Sequence, residues 1–179
     1  MKTPFLGNFK DIEIISLEVL KIFHKKIKNY KKLSKKDFLF KIIKSMGGEI
    51  RTNQSADPYP IYAPLVIEPD KRFTITRSQY TTFFEDNFII ATNIGRIFLN
   101  YKEDKRETKR KTVFWHLEKE IDWASYYFAL VFLTPEQEFR KIFNEHKKTS
   151  VFMQNSILSG YFEVSIKKII ERKEKLHLK

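Results

Sequence analysis

Four histidines are the first candidates for metal or proton chemistry in this chain: His24, His116, His146 and His177. No two of them lie three or four residues apart, so no helix can turn a pair of imidazoles toward one metal ion. Cysteine is absent, which removes thiolate ligands, thiol nucleophiles and disulfides together. His116, beside Trp115 and Glu118, sits among side chains of functional type, although a lone imidazole next to aromatics is more often a packed or surface residue. Glu85 and Asp86 form an acidic pair ahead of a long apolar run, where complementarity to a helix N-terminus accounts for them. Neither Gly47-Gly48 nor Gly160 has the spacing of a phosphate-binding loop.

Charge is the more abundant resource. Lys and Arg number 34 against 22 Asp and Glu, a formal +12. Such a field draws nucleic acid, anionic membrane surfaces or acidic proteins, and a lysine-rich genome composition produces the same balance. Between residues 21 and 44 lie ten lysines and one acid, Asp37. This stretch is either a phosphate-facing surface or the solvated side of two amphipathic helices.

The elements that must position these residues are mainly helical. The chain has 179 residues, is 42% hydrophobic and 15% aromatic, and contains only 5 Gly and 6 Pro, which suits one compact unit with short connections. Apolar residues at Ile15, Val19, Ile22, Phe23, Ile27 and Tyr30 predict a helix from Asp11, with Asp11 as its cap. Ser34 and Asp37 have capping-box spacing for a second helix that Gly47-Gly48 can end. Residues 49–52, 61–67 and 72–76 read as strands, with Pro64 marking the middle one as an edge or bulge. A buried helix over 88–99, a charged connection over 102–120, an apolar helix over 120–133 and a Pro135-started helix follow, and two short helices over 151–161 and 165–176 end the chain. The N-terminus, Met1-Lys2-Thr3-Pro4, leads into acidic residues, and the longest apolar stretch, 126–133, cannot cross a bilayer. A soluble, cytoplasmic protein without membrane contact is expected.

This order, together with two local patterns, resembles the ImmA/IrrE family of zinc-metallopeptidase-like proteins. The run Ser125-Tyr126-Tyr127-Phe128-Ala129-Leu130-Val131-Phe132-Leu133-Thr134-Pro135 keeps the family's Phe-Ala, Leu and Pro offsets, and Phe139 matches the apolar residue that follows. Leu158-Ser159-Gly160-Tyr161-Phe162-Glu163-Val164-Ser165 is similar to the family's turn between two helices. The resemblance covers roughly residues 12–176. It implies an α+β fold with zincin-like helices packed on a small, mostly antiparallel sheet over 1–148, and a C-terminal helical hairpin over 149–179.

The family's active members carry His-Glu-x-x-His on one helix, two ligands one turn apart with a general base between them. Aligning the apolar lead-in 88–91 puts Thr92 and Arg96 at the two histidines, Asn93 at the glutamate and Gly95 on the family's glycine. The third ligand falls on Ala124, or on Trp123 with a one-residue slip, with Asp122 close by. This implies a vestigial cleft at Thr92, Asn93, Arg96, Asp122 and Ala124, with no metal and no cofactor. Arg96 then either pairs with an acid (Asp122, Glu120 or Glu118) as a structural replacement for zinc, or binds an anionic ligand. The hairpin adds a second candidate surface. Phe152, Ile157, Leu158, Phe162, Val164, Ile169 and Ile170 would pack it, leaving Lys167, Lys168, Arg172, Lys173 and Lys175 as nucleic-acid contacts in a helix-turn-helix or as decoration of a docked hairpin. Three functions follow: an inactive metallopeptidase-like regulator from a mobile element that binds a protein partner such as a transcriptional regulator, a nucleic-acid-binding protein, or an enzyme of unrelated chemistry.

Overall fold

A computed structural model describes residues 7–53, 65–68, 70, 72–100, 111–113 and 123–178. Helix α1, Phe9–Lys26, begins at Asn8, whose side chain accepts from the Asp11 amide while the Asp11 carboxylate accepts from the Asn8 amide. Asp11 is therefore the third helical residue of a reciprocal cap and not the cap itself. The buried stripe of α1 is Ile12, Ser16, Val19, Leu20 and Phe23, continued by Ile27, while Ile22 faces water. A 3-10 turn, Tyr30–Lys32, leads to α2, Lys35–Ser45, capped by Ser34 as its spacing with Asp37 predicts. Gly47 takes a left-handed φ of 81° after α2, a conformation that costs glycine little.

Four strands form one sheet in the order β1, β3, β2, β4: β1 is Gly48–Asn53, β2 Leu65–Ile67, β3 Phe73–Ser78 and β4 Lys111–Val113. The β2–β3 and β2–β4 pairings are antiparallel, and the longer β1–β3 pairing is parallel with Ile50 opposite Ile75. Two expectations change here. Strand β2 is interior, bonded on both sides, and the charged connection contributes β4 as its outer partner. Pro64, on which the edge assignment rested, lies outside the described residues.

Leu65, Ile67, Phe73 and Ile75 bury one face of the sheet, where α2 packs on β1 and α3 on β3. Helix α3, Phe83–Asn100, starts five residues earlier than its apolar core suggests, because Glu85 and Asp86 lie within its first turn. It packs chiefly on α4, Trp123–Leu133, which is almost entirely buried and also packs on α1. Gly95 lets these helices approach: a Cβ there would stand 2.9 Å from Phe128 Cδ1. Helices α5, Glu136–Glu145, α6, Val151–Phe162, and α7, Ile166–Lys175, complete the chain. The α6–α7 turn is made by Glu163 at φ 51°, a left-handed position that needs no glycine because its side chain and backbone are both tied down. Its carboxylate accepts from the Lys35 amide at 3.0 Å and its carbonyl from Asn87 Nδ2 at 3.0 Å.

Candidate functional site

Thr92, Asn93, Gly95 and Arg96 lie on α3 where it faces the rest of the core, and none of the three polar side chains is more than 5% exposed. Each is bound to its own helix. Thr92 Oγ1 donates to the Phe88 carbonyl at 2.8 Å, and Asn93 Nδ2 donates to the Ile89 carbonyl at 3.1 Å. Arg96 Nη1 donates to Asn93 Oδ1 at 3.0 Å. Buried polar groups need partners, and these three bonds find theirs three or four residues away along the helix. Ala124 is buried on α4 and Trp123 is half exposed beside Phe9. Asp122, Glu120, Glu118 and His116 lie outside the described residues. The three α3 positions are thus buried side chains with hydrogen bonds to their own helix.

Zinc asks for deprotonated nitrogen, sulfur or carboxylate donors. A hydroxyl committed to a carbonyl, an amide bridging a carbonyl and a guanidinium, and a permanent cation do not fit that ion. His-Glu-x-x-His occurs nowhere in the sequence, and among the described residues no group of three His, Asp or Glu is placed to hold a metal.

The hairpin's basic residues divide by position. Arg172 is 1% exposed: Nε donates to the Thr134 carbonyl and Nη1 to Glu13 Oε1, each at 3.2 Å. Lys173 is buried too, donating to Gln154 Oε1 at 3.1 Å and Asn155 Oδ1 at 3.2 Å. Lys168 lies 4.2 Å from the Phe88 ring centre and 3.9 Å from that of Tyr126, and donates to the Tyr126 hydroxyl, which donates in turn to Glu171. Burial pushes the Lys168 amine down to about 8, and burial together with Glu171 pushes the Tyr126 phenol up. Arg172 and Lys173 are therefore docking residues rather than nucleic-acid contacts, and Lys168 is largely enclosed, leaving Lys167 and Lys175 exposed. The buried stripe of α7 is Ile169, Arg172, Lys173 and Leu176, so Ile170 faces water, as does Phe152 on α6.

A second cluster had no signal in any one motif. His24 and Tyr30 stack with ring centres 3.8 Å apart and 11° between planes, and Phe38 lies 5.4 Å from His24. With Lys35, Glu138 and Tyr161 they line a cavity of about 530 Å³. Burial, followed by the charge of Lys35, pushes the His24 imidazole down, and burial pushes the Lys35 amine down. The Tyr161 hydroxyl donates to Glu138 at 2.7 Å, and this bond pushes its phenol up to about 12.

Helix α3 packed on a small sheet and on α4, with further helices following, makes this an α+β protein. Residues 68–173 match the family model of the IrrE N-terminal-like domain, Peptidase_M78, and the chain belongs to that family. No curated protein and no solved structure matches it.

Proposed function

We propose that this family member is catalytically inactive and works by binding a protein partner, as a regulator of mobile-element origin whose partner class is a transcriptional regulator. The observation that carries this is the chemistry of Thr92, Asn93 and Arg96: a hydroxyl, an amide and a guanidinium, each hydrogen-bonded to α3, at the positions that the resemblance aligns with the family's ligands and base. A cation fixed at the position of a ligand opposes a divalent ion, and an amide cannot take a proton from water. What persists is the scaffold, including the close contact of Gly95 with Phe128. The binding role is supported by apolar side chains held in water at the start of α6, where Phe152 is 75% exposed.

Equilibrium dialysis against zinc, with thermal unfolding alongside, tests the inactive assignment. Substoichiometric zinc and an unchanged melting temperature are expected. One tightly held zinc per chain, raising the melting temperature as a native-state ligand does, would overturn it.

A further inference from the structure

The charge of the chain is concentrated. The 24 residues from 21 to 44 hold ten lysines and one aspartate, a net +9 out of the formal +12. Within α1, Lys10 apart, the acids Asp11, Glu13 and Glu18 precede Lys21, Lys25 and Lys26. The helix dipole accounts for bases in the last turn, but its influence fades within that turn. It covers Lys44 in the last turn of α2 but does not account for Lys21, Lys28, Lys31, Lys32 or Lys41. All eight of these lysines are exposed, and among the described residues none is paired with a carboxylate. An ordinary solvated face mixes signs, because unneutralised like charges repel one another.

The stacked pair His24 and Tyr30 stands within this field, and Lys31 and Lys35 line the aromatic cavity as well. Phosphates and bases need these two kinds of surface side by side: lysines for the backbone, and ring faces with a few polar groups for an unstacked base. Glu138 and the Lys35 amine supply an acceptor and a donor at the cavity wall. The cluster contains no arginine, so it lacks the planar fork that reads base edges or grips carboxylates in pairs. Rings recessed in a cavity are also poorly placed to enter a bilayer.

We infer that the surface formed by the end of α1, the 3-10 turn and α2 binds single-stranded nucleic acid, with phosphates on the lysines and a base in the cavity beside Tyr30. The site is independent of the α3 positions.

Fluorescence anisotropy of the full chain with labelled oligothymidylate, oligouridylate and a duplex of equal length tests this, beside sedimentation with phosphatidylserine vesicles. Both single strands should bind at least tenfold more tightly than the duplex, and the tighter of the two identifies DNA or RNA as the source. With about five phosphates engaged, affinity should fall about a hundredfold between 50 and 200 mM salt. The triple variant Lys25→Glu, Lys28→Glu, Lys32→Glu should abolish binding. The variant Lys141→Glu, Lys147→Glu, Lys148→Glu makes the same change in net charge at exposed sites on and just after α5, and should stay within about threefold of wild type. Tyr30→Leu, with folding verified by circular dichroism, should weaken the single strands about tenfold and leave the duplex unchanged. Equal loss in the two triple variants, equal affinity for duplex and single strand, or binding to vesicles alone would each overturn the inference.

Discussion

Replacing Arg172 by Met separates a structural hairpin from a nucleic-acid-reading one. The guanidinium is 1% exposed and ties α7 to the end of α4 through the Thr134 carbonyl and to α1 through Glu13, which also accepts from the Tyr127 hydroxyl at 2.7 Å. Methionine fills similar length but donates nothing. Orphaning the Thr134 carbonyl costs about 2 kcal/mol. Losing the Glu13 contact costs about 1 kcal/mol, at the low end because the Glu13 side chain is 30% exposed and can turn to water. Against this, Arg172 Nη2 is buried without a partner among the described residues, and removing it returns about 1 kcal/mol. The net loss is about 2 kcal/mol, which for a chain of this size lowers the melting temperature by about 4–8 °C. Thermal unfolding followed by circular dichroism reads this directly. Arg172→Lys should recover only part of it, since one ammonium cannot replace a fork spanning two acceptors. An unchanged melting temperature together with lost affinity for oligonucleotides would refute the reasoning and return Arg172 to the surface.

Gly95→Ala should cost about 1 kcal/mol, the crowding against Phe128 being partly offset by better helix propensity, and Gly95→Val about 3 kcal/mol; urea unfolding measures both. Asp86 is buried, accepts from Thr81 and pairs with Arg77 at the start of α3, so Asp86→Asn should lose about 2 kcal/mol by the same assay, moderated because Arg77 can reach water. The Lys168 amine, held near 8 against an ordinary 10.5, gives a signed pH dependence. Between those values the unfolded chain binds more protons than the folded one, so stability rises with pH across the window and is lost as pH falls through 8. Above 10 the raised Tyr126 reverses the trend, because the unfolded phenol ionises first. Melting temperatures of Lys168→Met against wild type isolate the contribution: their difference should change with pH between about 8 and 10, and a constant difference would show that the amine titrates normally.

The sequence determined what depends on near neighbours. The Ser34 cap, the left-handed Gly47, the strand after it and the buried α3–α4 pair were all legible, because caps, turns and apolar periodicity act within a few residues. So was the absence of His-Glu-x-x-His, and the resemblance that the family match bears out. Tertiary structure alone decided the rest. Strand β4 was hidden in a charged connection because its partner is more than forty residues away, and pairing on both sides placed β2 inside the sheet. On α7 the sequence placed Ile169 and Ile170 inward and the basic residues outward: Ile169 is buried, but Ile170 faces water and the buried stripe passes through Arg172 and Lys173. Periodicity counts a charged residue as outward, whereas a long side chain can be buried once Glu13, Thr134, Gln154 and Asn155 from other helices supply its partners. The cavity beside Tyr30 was invisible for the same reason, since residues 24–38 meet Glu138 and Tyr161 only when the hairpin docks and Glu163 bonds the first residue of α2.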